Sequence, residues 1–211
     1  VNQVRSDTFT YTLTDGDGDT STATLTLQGI SSNQSFNPWQ SVTTNANPFY
    51  NGNNNAEAIR GCEVADTLYG QGGDDFITGG NGNDNIYGGD GNDVIWGELG
   101  ADNLWGGAGA DIFTAATNDL LGNVVDTIKD FNASEGDVLD LRHVLDHNFY
   151  NPNNPNLTQF VRAVNQSGGT MIQVNPDGAG ATYGWMNAVF IEGQQNTDVN
   201  QLFNNGNIEM I

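Results

Sequence analysis

The chain has 211 residues, with 26 acidic residues against 5 basic ones and a formal net charge of −21. That imbalance argues against nucleic acid and against insertion into anionic membranes, both of which attract Lys and Arg, and it suits a chain that collects cations. A lone cysteine, Cys62, rules out a disulfide within the chain, and no run approaches the roughly 20 apolar residues that span a bilayer. Val1–Thr10 lacks a basic region followed by an apolar one, so no export leader is predicted there. The address of an exported chain would lie elsewhere in it.

The first predicted element is a hairpin. Asp7–Leu27 reads DTFTYTLTDGDGDTSTATLTL, two alternating strand patterns around Asp15-Gly16-Asp17-Gly18-Asp19. A hairpin alone is marginal in water, so residues 1–27 are expected to be the last strands of a truncated domain. They resemble the end of the immunoglobulin-like repeats of giant bacterial adhesins. The acidic turn is open to two readings, a plain turn and a further Ca²⁺ site. Residues 28–60 are rich in Asn and Ser with several aromatics and read as a linker or an amino-terminal cap.

From Gly61 the sequence falls into nines: GCEVADTLY, GQGGDDFIT, GGNGNDNIY, GGDGNDVIW, GELGADNLW, GGAGADIFT. These repeats, residues 61–114, hold 15 of the 28 glycines, so glycine is placed and not scattered. The eighth position is apolar in every repeat (Leu68, Ile77, Ile86, Ile95, Leu104, Phe113), and the sixth is always Asp: Asp66, Asp75, Asp84, Asp93, Asp102 and Asp111. Two nonapeptides complete one turn of a parallel roll, with a strand on each face and a glycine-rich turn on each edge. Repeats two apart then lie about 4.8 Å from each other. That stacks Asp66, Asp84 and Asp102 on one edge and Asp75, Asp93 and Asp111 on the other. At roughly 5 Å such carboxylates repel by about 1–3 kcal/mol per pair, and a cation between them removes the penalty.

The pattern G-G-x-G-x-D-x-U-x, met at every defined position by Gly79–Tyr87, Gly88–Trp96 and Gly106–Thr114, resembles the calcium-binding repeats of the RTX (repeats-in-toxin) family. The resemblance implies an all-β fold built on a Ca²⁺-bound parallel β-roll, with about four or more ions, each between adjacent turns of one edge. The six aspartates would be ligands, together with backbone carbonyls from Gly70, Gly72, Gly79, Asn81, Asn83, Gly88, Asp90, Asn92, Gly97, Gly106 and Ala108. Internal sites are expected at 66/84, 84/102, 75/93 and 93/111. Gly61–Tyr69 departs from the pattern with Cys62 and Val64 where glycines belong, which singles out the 66/84 site as the weakest.

Positions seven and nine face outward. One face carries Phe76, Val94, Trp96 and Ile112, and the other carries Tyr69, Tyr87 and Trp105 among Thr67, Asn85 and Asn103. Flanking segments are expected to cover one or both faces. The alternative is a ligand surface, for sugar or ice, although no regular outward Thr ladder is present.

Residues 115–211 read as a β-rich cap. Val124–Val144 (VVDTIKDFNASEGDVLDLRHV) resembles the segment that follows RTX repeats in proteins exported by type I secretion, and Met171–Val174 and Ala188–Ile191 read as further strands. Asp126 and Asp130, with Asp137 and Asp140, are candidates to extend the acid columns. Asp198–Ile211 resembles the family's export signal, which implies the type I secretion machinery as a partner. There is no H-E-x-x-H and no G-x-S-x-G, and His143 and His147, four apart, read as coincidence and not as a ligand pair. The chain is thus expected to be a non-catalytic, calcium-dependent folding and secretion module of a large adhesin, secreted or on the bacterial surface. Two alternatives stand beside it: the RTX module of a secreted protease or lipase, and an adhesive domain for a glycan or host surface.

Overall fold

The computed structural model describes residues 49–115, 124–144, 158–176, 178 and 184–210, and the backbone alone of 5–14, 20–30, 40–41 and 157. Two compact units divide the chain, Val1–Pro38 and Trp39–Ile211. In the first, β1 (Arg5–Thr14) and β2 (Thr20–Ile30) pair antiparallel with Phe9 opposite Leu25 and Tyr11 opposite Ala23. This is the hairpin read from the alternation. The acidic turn between the strands lies outside the described residues.

The second unit is a β-solenoid of two sheets. Each nonapeptide supplies one strand, and successive strands alternate between the sheets. The first sheet stacks β4 (Phe49–Asn51), β6 (Thr67–Gly72), β8 (Asn85–Asp90), β10 (Asn103–Ala108) and β12 (Asp126–Ile128) in parallel. The second stacks β3 (Gln40–Ser41), β5 (Ala58–Arg60), β7 (Phe76–Asn81), β9 (Val94–Leu99), β11 (Ile112–Thr114) and β13 (Val138–Asp140) in the same way. The ladder therefore runs past both ends of the six nonapeptides. Farther on, β16 (Met186–Glu192) joins β12 in parallel, and β17 (Ile208–Glu209) joins β13. An antiparallel meander of β14 (Val161–Gln166), β15 (Gly169–Val174) and β16 closes the first sheet. Between β16 and β17, α1 (Val199–Asn204) is capped by Asp198, whose carboxylate accepts from the Asn200 N–H at 2.9 Å. Among the described residues no helix is long and apolar enough to cross a membrane.

The core is two columns wide. In register, Leu68, Ile86, Leu104, Ile128 and Ile191 stack from the first sheet, and Ile59, Ile77, Ile95, Phe113, Leu139 and Ile208 from the second, all buried. One inward side chain per strand makes this core thin, so each member matters. Ile86→Ala, which leaves a void between Leu68 and Leu104, is expected to cost about 2–5 kcal/mol by denaturant unfolding in saturating calcium. A loss below about 1 kcal/mol would contradict the inward stacking.

The outward faces are largely self-covered. Tyr69, Tyr87 and Trp105 stack on one another at 4.6 and 4.3 Å between ring centroids, nearly parallel. On the other sheet, Trp96 stacks against His143 at 5.7 Å, and Thr78 and Thr114 are buried, while Phe76 stays exposed. His143 thus serves as a cover for the roll. His147 lies outside the described residues.

Candidate metal centre

The edges of the solenoid bring the sixth-position acids into two columns. Each strand begins one residue after its acid, so parallel register of the strands fixes register of the acids. From Asp75 and Asp84 onward, the Oδ1 of each acid accepts the backbone N–H of the acid one turn earlier. Asp66 donates to Asp84 at 2.8 Å, Asp84 to Asp102 at 2.7 Å, and Asp102 to Asp126 at 3.0 Å. On the opposite edge Glu57 donates to Asp75 at 2.7 Å, Asp75 to Asp93 at 2.8 Å, Asp93 to Asp111 at 2.9 Å and Asp111 to Asp137 at 3.1 Å. The short Asp side chain therefore has a structural task as well, since it clamps one turn to the next.

In five of these acids the second carboxylate oxygen has none. The Oδ2 atoms of Asp75, Asp84, Asp93, Asp102 and Asp111 are buried with no hydrogen-bond partner, and the residues are at most 2% exposed. An unpaired buried charge is costly. Desolvation accordingly pushes Asp75, Asp84 and Asp111 up to about 7, partly offset by the N–H bonds along the column and reinforced by neighbouring acids. Burial also raises Asp93 and Asp102 above the ordinary carboxylate range.

Glycine at position one creates the space beside these oxygens. A Cβ on Gly70, Gly79, Gly88, Gly97 or Gly106 would collide with the Oδ2 of the acid in its own repeat. At Gly70, Gly79 and Gly88 it would also come within 2.5, 2.7 and 2.6 Å of the Gly88, Gly97 and Gly106 carbonyl oxygens of the next turn. At these three turns carboxylate and carbonyl oxygens thus converge on one small cleft each.

The RTX calcium-binding nonapeptide repeat, in four-copy form, matches the chain at residues 51–86, 63–95 and 78–113. The repeat segment belongs to the RTX family. Among the solved structures similar to the chain are two subunits of one enzyme. The AlgE6R2 subunit of the Azotobacter vinelandii mannuronan C5-epimerase is 24% identical, with 73% of this chain and 92% of that one covered and a TM-score of 0.49. The AlgE6R3 subunit of the same enzyme is 27% identical, with 68% and 74% covered and a TM-score of 0.31. No curated protein matches.

RTX repeats bind calcium, and the donors here fit that ion. Ca²⁺ takes six to eight oxygens, carbonyls included. Among the described residues no three His, Cys, Asp or Glu side chains gather into a metal-holding group, so a cation on either edge relies on carbonyls for much of its shell. The residues that would hold it are the five orphaned aspartates with the Gly88, Gly97 and Gly106 carbonyls. The charge it brings would balance carboxylates whose Oδ2 no protein donor reaches.

The remaining candidates fall elsewhere on the roll. The Gly70 carbonyl faces Gly52 and the Glu57 carboxylate, and the Gly79 carbonyl faces Gly61 and the Asp66 carboxylate. The carbonyls of Asp90 and Ala108 accept the Gly73 and Gly91 N–H groups, each at 2.8 Å. Gly72 and Asn81 lie in strands, in register with Asp90 and Leu99. The Asn83 and Asn92 side chains accept the Ala101 and Ala110 N–H groups at 3.0 and 2.9 Å. Asp130 caps a turn, accepting from Gly106 and Gly107 at 2.9 and 3.0 Å. Asp140 turns away to a two-point pair with Arg142, at 2.9 and 2.7 Å, which outweighs its burial and holds it below the ordinary range.

One member of the column is absent from the six-repeat reading. Gly52–Arg60 is a degenerate nonapeptide with Gly52 first, Glu57 sixth and Ile59 eighth. Glu in place of Asp, and no second or fourth glycine, hide it from the consensus. The offsets of Gly52, Glu57 and Ile59 were the signal that could have found it.

Proposed function

We propose that this chain is a calcium-dependent folding and export module of a large secreted bacterial adhesin, without catalytic activity of its own. One observation carries the calcium part: buried carboxylate oxygens at stacked RTX turns have no protein donor, so the roll closes fully only when cations neutralise its edges. Where calcium is scarce, as inside a cell, the chain stays open enough to be threaded; where calcium is abundant it folds.

The carboxyl-terminal segment supports that order of events. Ile208 and Met210 are buried, and β17 pairs with β13 as the last strand of the second sheet. If Asp198–Ile211 is the export signal, the type I machinery must read it before the roll forms. The adhesin context rests on the resemblance of β1–β2 to the end of an immunoglobulin-like repeat. The aromatic faces favour a structural role over a glycan platform, because Tyr87 has Tyr69 stacked on one side and Trp105 on the other.

Deleting Asp198–Ile211 from the natural full-length chain is expected to reduce its appearance in the medium to background while intracellular protein persists. Undiminished secretion would remove the export half of the reading and leave the calcium half standing.

A further inference from the structure

We propose that the roll takes cations only at its five central turns, those opening at Gly70, Gly79, Gly88, Gly97 and Gly106, and that the two turns at its amino-terminal end close without metal by means of backbone N–H groups. The inference rests on the calcium reading above and adds to it which turns are loaded.

The backbone separates the two kinds of turn. In the five central repeats the second and fourth residues both have positive φ: Gln71 and Gly73 (79° and 96°), Gly80 and Gly82 (102° and 129°), Gly89 and Gly91 (124° and 141°), Glu98 and Gly100 (71° and 148°), Gly107 and Gly109 (99° and 136°). These are the turns whose acids keep an orphaned Oδ2. In Gly52–Arg60 and Gly61–Tyr69 no residue has positive φ. There the second-position N–H reaches the acid instead: Asn53 donates to Glu57 Oε2 at 2.9 Å, and Cys62 donates to Asp66 Oδ2 at 2.7 Å.

The chemistry follows from that exchange. A left-handed second residue turns the peptide so that its N–H misses the carboxylate, which leaves a bare oxygen to meet a cation. A second residue with ordinary φ supplies the N–H itself, and a cation brought to that oxygen would meet the same N–H proton. Sequence explains the split. Val64, β-branched, stands where the central turns have a left-handed glycine, and such residues are genuine outliers at positive φ. Gly52–Arg60 carries Asn53 and Asn55 at the two positions, and neither has positive φ. The amino-terminal turns are thus a metal-free end cap on which the loaded turns stack, and the 66/84 pair is not a site of the same kind as 75/93 or 93/111.

Isothermal titration of the full chain with CaCl₂, with ions counted by native mass spectrometry, tests this. Asp66→Asn and Glu57→Gln are expected to bind as many ions as the unaltered chain, with affinities within about twofold, whereas Asp93→Asn binds at least one fewer. Cys62→Gly/Val64→Gly, which permits the left-handed turn, is expected to gain one ion. Loss of an ion in Asp66→Asn comparable to that in Asp93→Asn would overturn the inference, as would an unchanged count in the double variant. Circular dichroism in saturating calcium verifies that each variant folds, and Glu57→Gln decides the matter if Asp66→Asn does not. An unaltered chain that takes up no calcium at all would instead overturn the calcium reading itself.

Discussion

Excess EGTA added to the calcium-loaded chain is expected to abolish most of the β signal of residues 61–114, and millimolar calcium to restore it. The expectation follows from where the charge sits. The five orphaned oxygens belong to residues at most 2% exposed, and leaving a buried polar atom unpaired costs about 1–3 kcal/mol, more when it is charged. A site with free ion at 100 times its Kd contributes about 2.7 kcal/mol. A few such sites are comparable to the whole stability of a typical domain, about 5–15 kcal/mol. The core cannot compensate, since each strand contributes one inward side chain. Far-UV circular dichroism and hydrogen exchange at submicromolar and millimolar calcium measure the effect. An unchanged spectrum after chelation would show that the acid columns stand without ions.

The metal-free chain should also respond to acid in the direction opposite to most proteins. Asp75, Asp84 and Asp111 sit at about 7 in the folded roll, against an ordinary value of 3.8. Their folded pKa lies above the unfolded one, so between those limits the folded state binds more protons. Stability therefore rises as pH falls through about 7 toward 4, and is lost as pH rises. Each group contributes a slope of up to about 1.4 kcal/mol per pH unit. With EGTA present, lowering pH from 7.5 to 5 is expected to restore β structure in part. With calcium present, the same acidification weakens binding, because protons and ions compete for the same oxygens. Denaturant midpoints at several pH values, with and without calcium, give both slopes; a metal-free roll that loses stability between pH 7.5 and 5 would be inconsistent with the buried columns.

Much of the fold was written in one short signature. Asp followed two residues later by an inward apolar residue marks Asp66–Leu68 through Asp111–Phe113, and the register of the sheets follows from it directly. The same signature continues at Asp126–Ile128 and Asp137–Leu139, where β12 and β13 extend the ladder. It is harder to see there because the spacing of nine has gone: 15 residues separate Asp111 from Asp126, and 11 separate Asp126 from Asp137. A strand needs only its inward residue and its neighbour, whereas the nine-residue period belongs to the tight glycine turn. Connections of other lengths preserve the strand and erase the period.

The site was legible in outline and hidden in detail. Spacing alone put the aspartates in columns. It gave no sign that one oxygen of each is committed to a backbone N–H, because that bond joins residues 18 apart through the turn geometry. Spacing did not separate Asp66 from Asp93, the same residue at the same position, although Cys62 and Val64 did mark the 66/84 site as the weakest. The difference lies in a backbone dihedral two to four residues upstream, and Gln71 and Glu98 show that glycine content alone does not report it.

The stacked rings of Tyr69, Tyr87 and Trp105 give the molecule a built-in optical gauge. Parallel chromophores 4.3–4.6 Å apart, on three successive turns, couple electronically only while those turns stay in contact. Near-ultraviolet ellipticity and Trp emission should therefore follow the closure of these turns in real time, without any attached dye.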